Sequence, residues 1–393
     1  MTDDLGRAAV DLTRDLVAVD SVNPGLVPGA PGERAAALLV ADRLDAAGYE
    51  VALVVPPESP DRVSLLAVRT AGPGPAVVLN GHLDTVGVDG MDDPFTARIE
   101  GQRMYGRGTC DMKAGVAGQV VAAEALAAQG VAGTVVCAFV ADEEDASLGT
   151  ETVIETMAGR GLRADVCLVG EPTWLDLAVA HRGYALVRAT IRGRGAHTSR
   201  PEEGVDAIAH LGRLLAAVRE HDDALHKVPP YPLLGHGSLL VSVARGGSAP
   251  FTIAAEAEAL VERRTLPGEP VDVAVREVRQ LLRDINDAEP LARAEAQEVL
   301  ARDAWEADST GAAEELMGLL RSALPRAGAG APSHVGAPYW MESALWQRAG
   351  IPAVVCGPAG GGLHAVDEWV DLRQVAAYPV ALVDAVGAYL TGT

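Results

Sequence analysis

The chain has 393 residues, a formal net charge of −22, and 49% hydrophobic residues against only 4% aromatic ones. A chain of this length divides into two domains more readily than it packs around one core, and with so few rings those cores must be mostly Ala, Val and Leu. The acidic balance argues against nucleic acid or an anionic membrane as the main partner.

No stretch reaches the length of a membrane span, and the acidic N-terminal segment lacks the basic and apolar regions of a secretion signal. Cys110, Cys137, Cys167 and Cys356 form no CxxC pair, and the last three stand inside apolar runs. Those three read as buried thiols and Cys110 stands beside Asp111, so the four belong to a soluble, cytoplasmic protein rather than a disulfide framework.

In chain order, a helix is expected over 33–48, stopped by Gly48, then alternating strands at 51–55 and 63–68. The continuous apolar run 76–80 has the pattern of a strand covered on both faces. An Ala-rich helix over 114–129 ends at Gly130, and buried strands follow at 134–140 and 166–169. This alternation predicts an α/β fold with a mixed, mainly parallel sheet flanked by helices.

The pattern changes after Thr173. Residues 184–191 alternate strictly, and a helix over 204–220 carries an apolar stripe of Val205, Ile208, Leu211, Leu215 and Val218. Strands at 238–244 and 253–263, a helix over 271–285 and a strand at 292–300 complete a β-α-β-β-α-β order. That order predicts an inserted α+β, ferredoxin-like domain over 179–301, between catalytic segments 1–178 and 302–393. A helix over 312–324, a strand at 353–356 and a helix over 375–390, which Pro379 should start or kink, finish the larger domain.

Chemistry collects at the ends of the apolar runs. AVVLNGHLD delivers His82 and Asp84, GRGTCDMKAG delivers Asp111, and TVVCAFVADEE delivers Glu143 and Glu144. DVCLVGEP delivers Glu171, and the glycine-rich GPAGGGLH ends in His364. Parallel sheets display functional groups at the C-terminal ends of their strands, and two imidazoles with five carboxylates suit a paired zinc site. His82 and Asp84, two apart in extended chain, point the same way, so Asp84 can orient the imidazole through its second ring nitrogen. Asp111 can cap a helix or bridge two ions. Glu143 and Glu144 point apart if extended, so one can ligate while the other serves as general base.

These motifs, with GAHTSRPEEGVDAI, RRTLPGE and GLHAVDEWV, resemble the co-catalytic zinc amidohydrolases and exopeptidases. That family includes acetylornithine deacetylase, succinyl-diaminopimelate desuccinylase, aminoacylase-1 and glutamate carboxypeptidase. The resemblance spans nearly the whole chain and implies a zinc exopeptidase-like fold holding two zinc ions, with cobalt or manganese as substitutes. His82 and Glu171 would hold one ion, Glu144 and His364 the other, and Asp111 would bridge them through a cis peptide to Met112. Glu143 would move the proton from a bridging water to the leaving amine, and Asp84 would orient His82.

The inserted domain would be a lid that also makes a homodimer. His197 would stabilise the oxyanion from it, and Arg264 would grip a substrate carboxylate. The activity implied is hydrolysis of an N-acyl amino acid, with a dipeptidase or carboxypeptidase as the alternative and a non-catalytic metal-binding paralogue as the alternative of another class. The chain departs from its relatives at Phe251 and Ala254, where an Asn and a Pro are usual, and at Met341–Glu342, where Thr-Asp is usual. Both departures are read as substrate-facing, whereas His181 and His334 are read as structural.

Overall fold

The computed structural model describes residues 2–288 and 291–392. The chain forms two compact units. The larger holds the chain up to Val179, Ala307–Val335 and the segment from Met341 onward; the smaller holds Ala180–Glu306 and Gly336–Trp340. Gly336–Trp340, expected with the second catalytic segment, therefore group with the inserted unit.

In the larger unit the strands Glu50–Val54, Ser64–Ala71, Gly133–Val140, Ala76–His82, Val166–Val169, Ala353–Val355 and Leu177–His181 lie side by side in that order. Gly133–Val140, Ala76–His82, Val166–Val169 and Ala353–Val355 run parallel to one another, while the first two strands pair antiparallel. The sheet is thus mixed, with a parallel centre. Its central strands are buried on both faces, as their unbroken apolar runs require.

The Ala-rich helix Ala114–Ala128 is buried over most of its circumference. Small side chains let it pack closely against helices Thr2–Val17 and Leu372–Thr391. Each Leu or Val fully removed from water in this core contributes roughly 1.5–3 kcal/mol. The last helix begins at Leu372, capped by Asp371, whose side chain accepts from Arg373 N, and it runs on through Pro379. Pro379 therefore lies inside this helix and does not start it.

A small antiparallel sheet of Arg98–Glu100, Arg103–Tyr105, Trp369–Asp371 and Gly360–Gly361 belongs to the same unit. Its hairpin between Gly361 and Trp369 carries His364.

The smaller unit has the β-α-β-β-α-β order, and its antiparallel sheet places Ser238–Gly246, Glu256–Thr265, Gly183–Arg192 and Arg293–Arg302 side by side. In order of appearance these are its second, third, first and fourth strands, the ferredoxin-like arrangement. Ala185, Val187, Ala189 and Ile191 point inward at every second position and meet Leu211, Leu214 and Val218 from one helix and Val278, Leu282 and Ile285 from the other. The expected stripe on helix Ala207–Leu225 is corrected in part. Leu211 and Val218 are buried with Ala207, His210 and Leu214, but Ile208 and Leu215 are exposed. The buried set follows the 3.6-residue repeat from Ala207, whose small side chain gave the apolar pattern little weight.

Candidate metal centre and active site

Three adjacent parallel strands bring the site together. His82 is the last residue of Ala76–His82, Glu143 and Glu144 follow Gly133–Val140, and Glu171 follows Val166–Val169. Neighbouring strands lie about 4.8 Å apart, so side chains leaving the same ends converge. Asp111 comes from the turn Thr109–Lys113 that opens helix Ala114–Ala128, with a cis peptide to Met112. Gly108 enters that turn at φ 80°, where a Cβ would lie 2.7 Å from Thr85 Cγ2, so only glycine fits. The His82 main-chain N–H points at Met112 Sδ, 3.3 Å away, which ties the turn to the strand end.

The two oxygens of Asp111 face different imidazoles. Oδ1 is 3.0 Å from His82 Nε2, and Oδ2 is 3.4 Å from His364 Nε2. His364 Nε2 is also 3.0 Å from Glu144 Oε2, and His82 Nε2 is 3.9 Å from Glu171 Oε1. Ligand atoms of His82, Asp111 and Glu144 lie within 4.8 Å of one another, as do those of His82, Glu143 and Glu171. Six of the seven residues singled out at strand ends thus form one cluster of possible ligands, and Asp84 stands behind it.

Asp84 meets the second ring nitrogen of His82, chiefly with its main-chain carbonyl. His82 Nδ1 lies 3.0 Å from the Asp84 main-chain carbonyl and 3.6 Å from its Oδ1. The Asp84 carboxylate instead accepts from the main-chain N–H groups of Glu143 and Glu144, each at 3.1 Å, and from Asn23 Nδ2 at 2.8 Å. Glu143 and Glu144 are therefore not in extended chain. They occupy a turn wrapped on Asp84 and entered at Asp142, whose φ is 73°. The turn, rather than strand alternation, sends their side chains to two groups of neighbours.

The electrostatics are those of an anionic cluster. Burial pushes the Glu143 and Glu171 carboxyls well above the usual range, and neighbouring carboxylates add to the rise against the opposing pull of His82. Burial and Asp111 likewise raise Glu144. Against burial, hydrogen bonds from His364 and His82 hold Asp111 below its usual value. Burial works to lower the His82 pKa, but its bonds to Asp111 and Asp84 prevail and raise it. Bonds to Asp111 and Glu144 raise His364 to about 10. Among the described residues, Glu143, Glu144 and Glu171 have no Lys or Arg ion-pair partner. A carboxylate set this dense and buried, with two imidazoles, is the donor chemistry of a divalent-cation site.

His197 and Arg264 belong to the smaller unit. His197 is exposed, and its Nδ1 faces Ser199 Oγ at 2.7 Å and accepts from Ser199 N at 3.1 Å. Arg264 is half-buried, bonds Glu262 through Nε at 2.7 Å and lies over the Tyr184 ring. Phe251 is 76% exposed. Met341 and Glu342 are buried, as are His82 and Glu171 of the cluster itself, and burial pushes Glu342 up to about 7. His181 is buried and stacked on Trp305, and the exposed His334 meets Arg321.

Sequence reasoning missed a buried network behind the site. Arg62 lies 2.6 Å from Glu33 and 2.8 Å from Asp142, and it donates to Asn23 Oδ1 at 2.6 Å. Glu368, inside the quoted GLHAVDEWV, was also passed over, although its carboxylate receives Arg107 and three main-chain N–H groups. Glu368 and Arg107 stood inside quoted motifs, whereas nothing in the sequence marked Glu33 or Arg62.

This fold and cluster define a metal-dependent hydrolase of amide bonds. Residues 78–387 match the family described as Peptidase family M20/M25/M40, and the chain belongs to it. It is 30% identical to an acetylornithine deacetylase of Photorhabdus laumondii over 66% of this chain and 68% of that one. It is 29% identical to a succinyl-diaminopimelate desuccinylase of Xanthomonas campestris over 94% and 96% of the two chains. In structure it is similar to a dinuclear metal-binding M20 peptidase of Bacillus subtilis, with a TM-score of 0.74 at 16% identity over 99% of both chains. Among the described residues, no helix is long and apolar enough to cross a membrane.

Proposed function

We propose that the protein hydrolyses the amide bond of an N-acyl amino acid bearing a free carboxylate, using two zinc ions. The observation that carries this reading is Asp111, which turns one oxygen toward His82 and the other toward His364. That arrangement suits a carboxylate shared by two ions, His82 and Glu171 holding one and Glu144 and His364 the other. When bound, the ions supply Lewis-acid polarisation of the carbonyl and a more acidic water.

The chain's own residues do the rest. Glu143, half-buried beside His82 and Glu171 with its proton affinity raised, takes the proton from the attacking water and delivers it to the leaving amine. Asp84 keeps His82 in one tautomer through its carbonyl and holds Glu143 and Glu144 through their amides. His197 accepts at Nδ1, which leaves its proton on Nε2 as a donor to the developing oxyanion. The terminal nitrogens of Arg264 have no hydrogen-bond partner among the described residues, which fits a grip on the substrate carboxylate.

The inserted unit acts as lid and dimer interface. Its edge strands Ser238–Gly246 and Arg293–Arg302 each have one unpaired side among the described residues, and such edges call for a cover. A cytoplasmic setting fits four buried, unpaired thiols.

The test is turnover of acetyl-, succinyl- and longer N-acyl amino acids beside dipeptides, with zinc, cobalt and manganese supplied separately. Cleavage of N-acyl amino acids above dipeptides supports the reading. The reverse ranking assigns a dipeptidase or carboxypeptidase, and bound metal without any hydrolysis assigns a non-catalytic paralogue.

A further inference from the structure

We infer that Glu368 and Arg107 form a buried clamp that sets Asp111 against His364 and so tunes the affinity of the centre for divalent ions. The inference rests on the ligand roles proposed for Asp111 and His364.

Glu368 is 1% exposed and Arg107 3%. Each oxygen of the Glu368 carboxylate is filled twice. Oε1 accepts from the main-chain N–H groups of Cys110 at 2.8 Å and Asp111 at 3.1 Å. Oε2 accepts from Gly108 N at 3.0 Å and from Arg107 Nη1 at 2.6 Å. The Glu368 carbonyl also accepts from Gly106 N at 3.1 Å. One residue therefore holds the backbone from Gly106 to Asp111, although 257 positions separate it from Asp111 in the chain.

Arg107 carries the coupling onward. Its Nε donates to Gly87 O at 3.1 Å, and its Nη2 reaches His364 O at 3.5 Å. The guanidinium thus links the turn that presents Asp111 to the loop that presents His364, four residues before Glu368. Stability alone is a weak reason for such a pair, because apolar residues of similar volume often serve as well or better than a buried ion pair. Fixing the spacing between two ligands from distant parts of the chain does need directional bonds. Neither residue touches the reacting atoms, so both are positioning residues.

The experiment titrates zinc into the chelator-treated full-length protein by calorimetry for wild type, Glu368→Gln and Arg107→Lys. Glu315→Gln, on the exposed side of a distant helix, serves as control. Glu368→Gln keeps the volume but turns an amide NH2 toward main-chain donors, and Arg107→Lys keeps the charge but loses the fork. Each is expected to weaken zinc binding about 10–100-fold and to lower kcat with KM within about 2-fold, and added zinc should restore turnover. Zinc affinity equal to wild type in the folded variants overturns the clamp, even if their thermal midpoints fall. Should Glu368→Gln fail to fold, Arg107→Lys decides alone. If wild type itself binds no divalent ion, it is the proposed metal centre that fails, and the clamp falls with it.

Discussion

The carboxylate of Asp84 accepts the main-chain N–H of Glu143 at 3.1 Å, and its second oxygen accepts that of Glu144 at the same distance. One aspartate therefore fixes the backbone of both glutamates while its own carbonyl faces His82. Asp84→Asn keeps the shape but turns an NH2 group toward an N–H donor. We expect kcat to fall about 10–100-fold with weaker zinc binding, measured by steady-state kinetics and metal titration. Unchanged values would mean that the turn holds itself.

Metal removal should be visible in stability. With the cations gone, the buried Glu171 and the half-buried Glu143 and Glu144 stand together without a Lys or Arg partner among the described residues. Restoring an ion at 100 times its dissociation constant stabilises the native state by about 2.7 kcal/mol. The thermal midpoint should fall on chelation and recover with zinc, and Asp111→Ala should abolish most of that recovery.

The Arg62 network, behind the ligands, gives a pH signature of its own. One guanidinium serves Glu33, Asp142 and, at 3.9 Å, Asp84. Burial first, then the Asp84 charge, pushes Glu33 from 4.5 up to about 8, against the pull of Arg62. The folded state then binds more protons than the unfolded chain between pH 4.5 and 8, so this contribution is full below about pH 4.5 and is lost as pH rises toward 8. Glu33→Gln, which cannot ionise, should compare more favourably with wild type at pH 8.5 than at pH 5, by at least about 1 kcal/mol. Chemical denaturation at the two pH values checks it; an identical difference at both would place Glu33 as a permanent anion.

Arg263 and Arg264 are neighbours with opposite expected phenotypes. Arg263 is 1% exposed and pairs with Glu269 at 2.7 Å and Glu277 at 2.9 Å. Removing it strands both carboxylates, so Arg263→Ala should cost about 3 kcal/mol of stability. Among the described residues, Arg264 has one ion-pair partner, Glu262, which is half-exposed. Arg264→Ala should leave the thermal midpoint within about 1 °C and raise KM for carboxylate substrates. A large loss of stability in Arg264→Ala would assign it to the fold.

The strand ends were legible because their residues follow apolar runs in parallel strands, and a parallel sheet must gather such ends on one side. His82, Glu144, Glu171 and the turn at Asp111 could be read that way. The atom by which Asp84 acts on His82 could not, since it depends on how the turn at Asp142 folds back. Glu33, Arg62 and Glu368 were equally opaque. Each is a charged residue whose partners lie tens or hundreds of positions away, and only the packed chain shows it buried. The exposed Ile208 and Leu215 show the converse, apolar residues that keep the helical repeat yet face water.

The most direct test of the account is zinc stoichiometry and turnover measured together in wild type and Glu143→Gln. We expect wild type and variant to bind two ions per chain, with kcat reduced by about 10²–10⁴ in the variant. Near-normal turnover in a fully loaded Glu143→Gln protein would contradict Glu143 as the base.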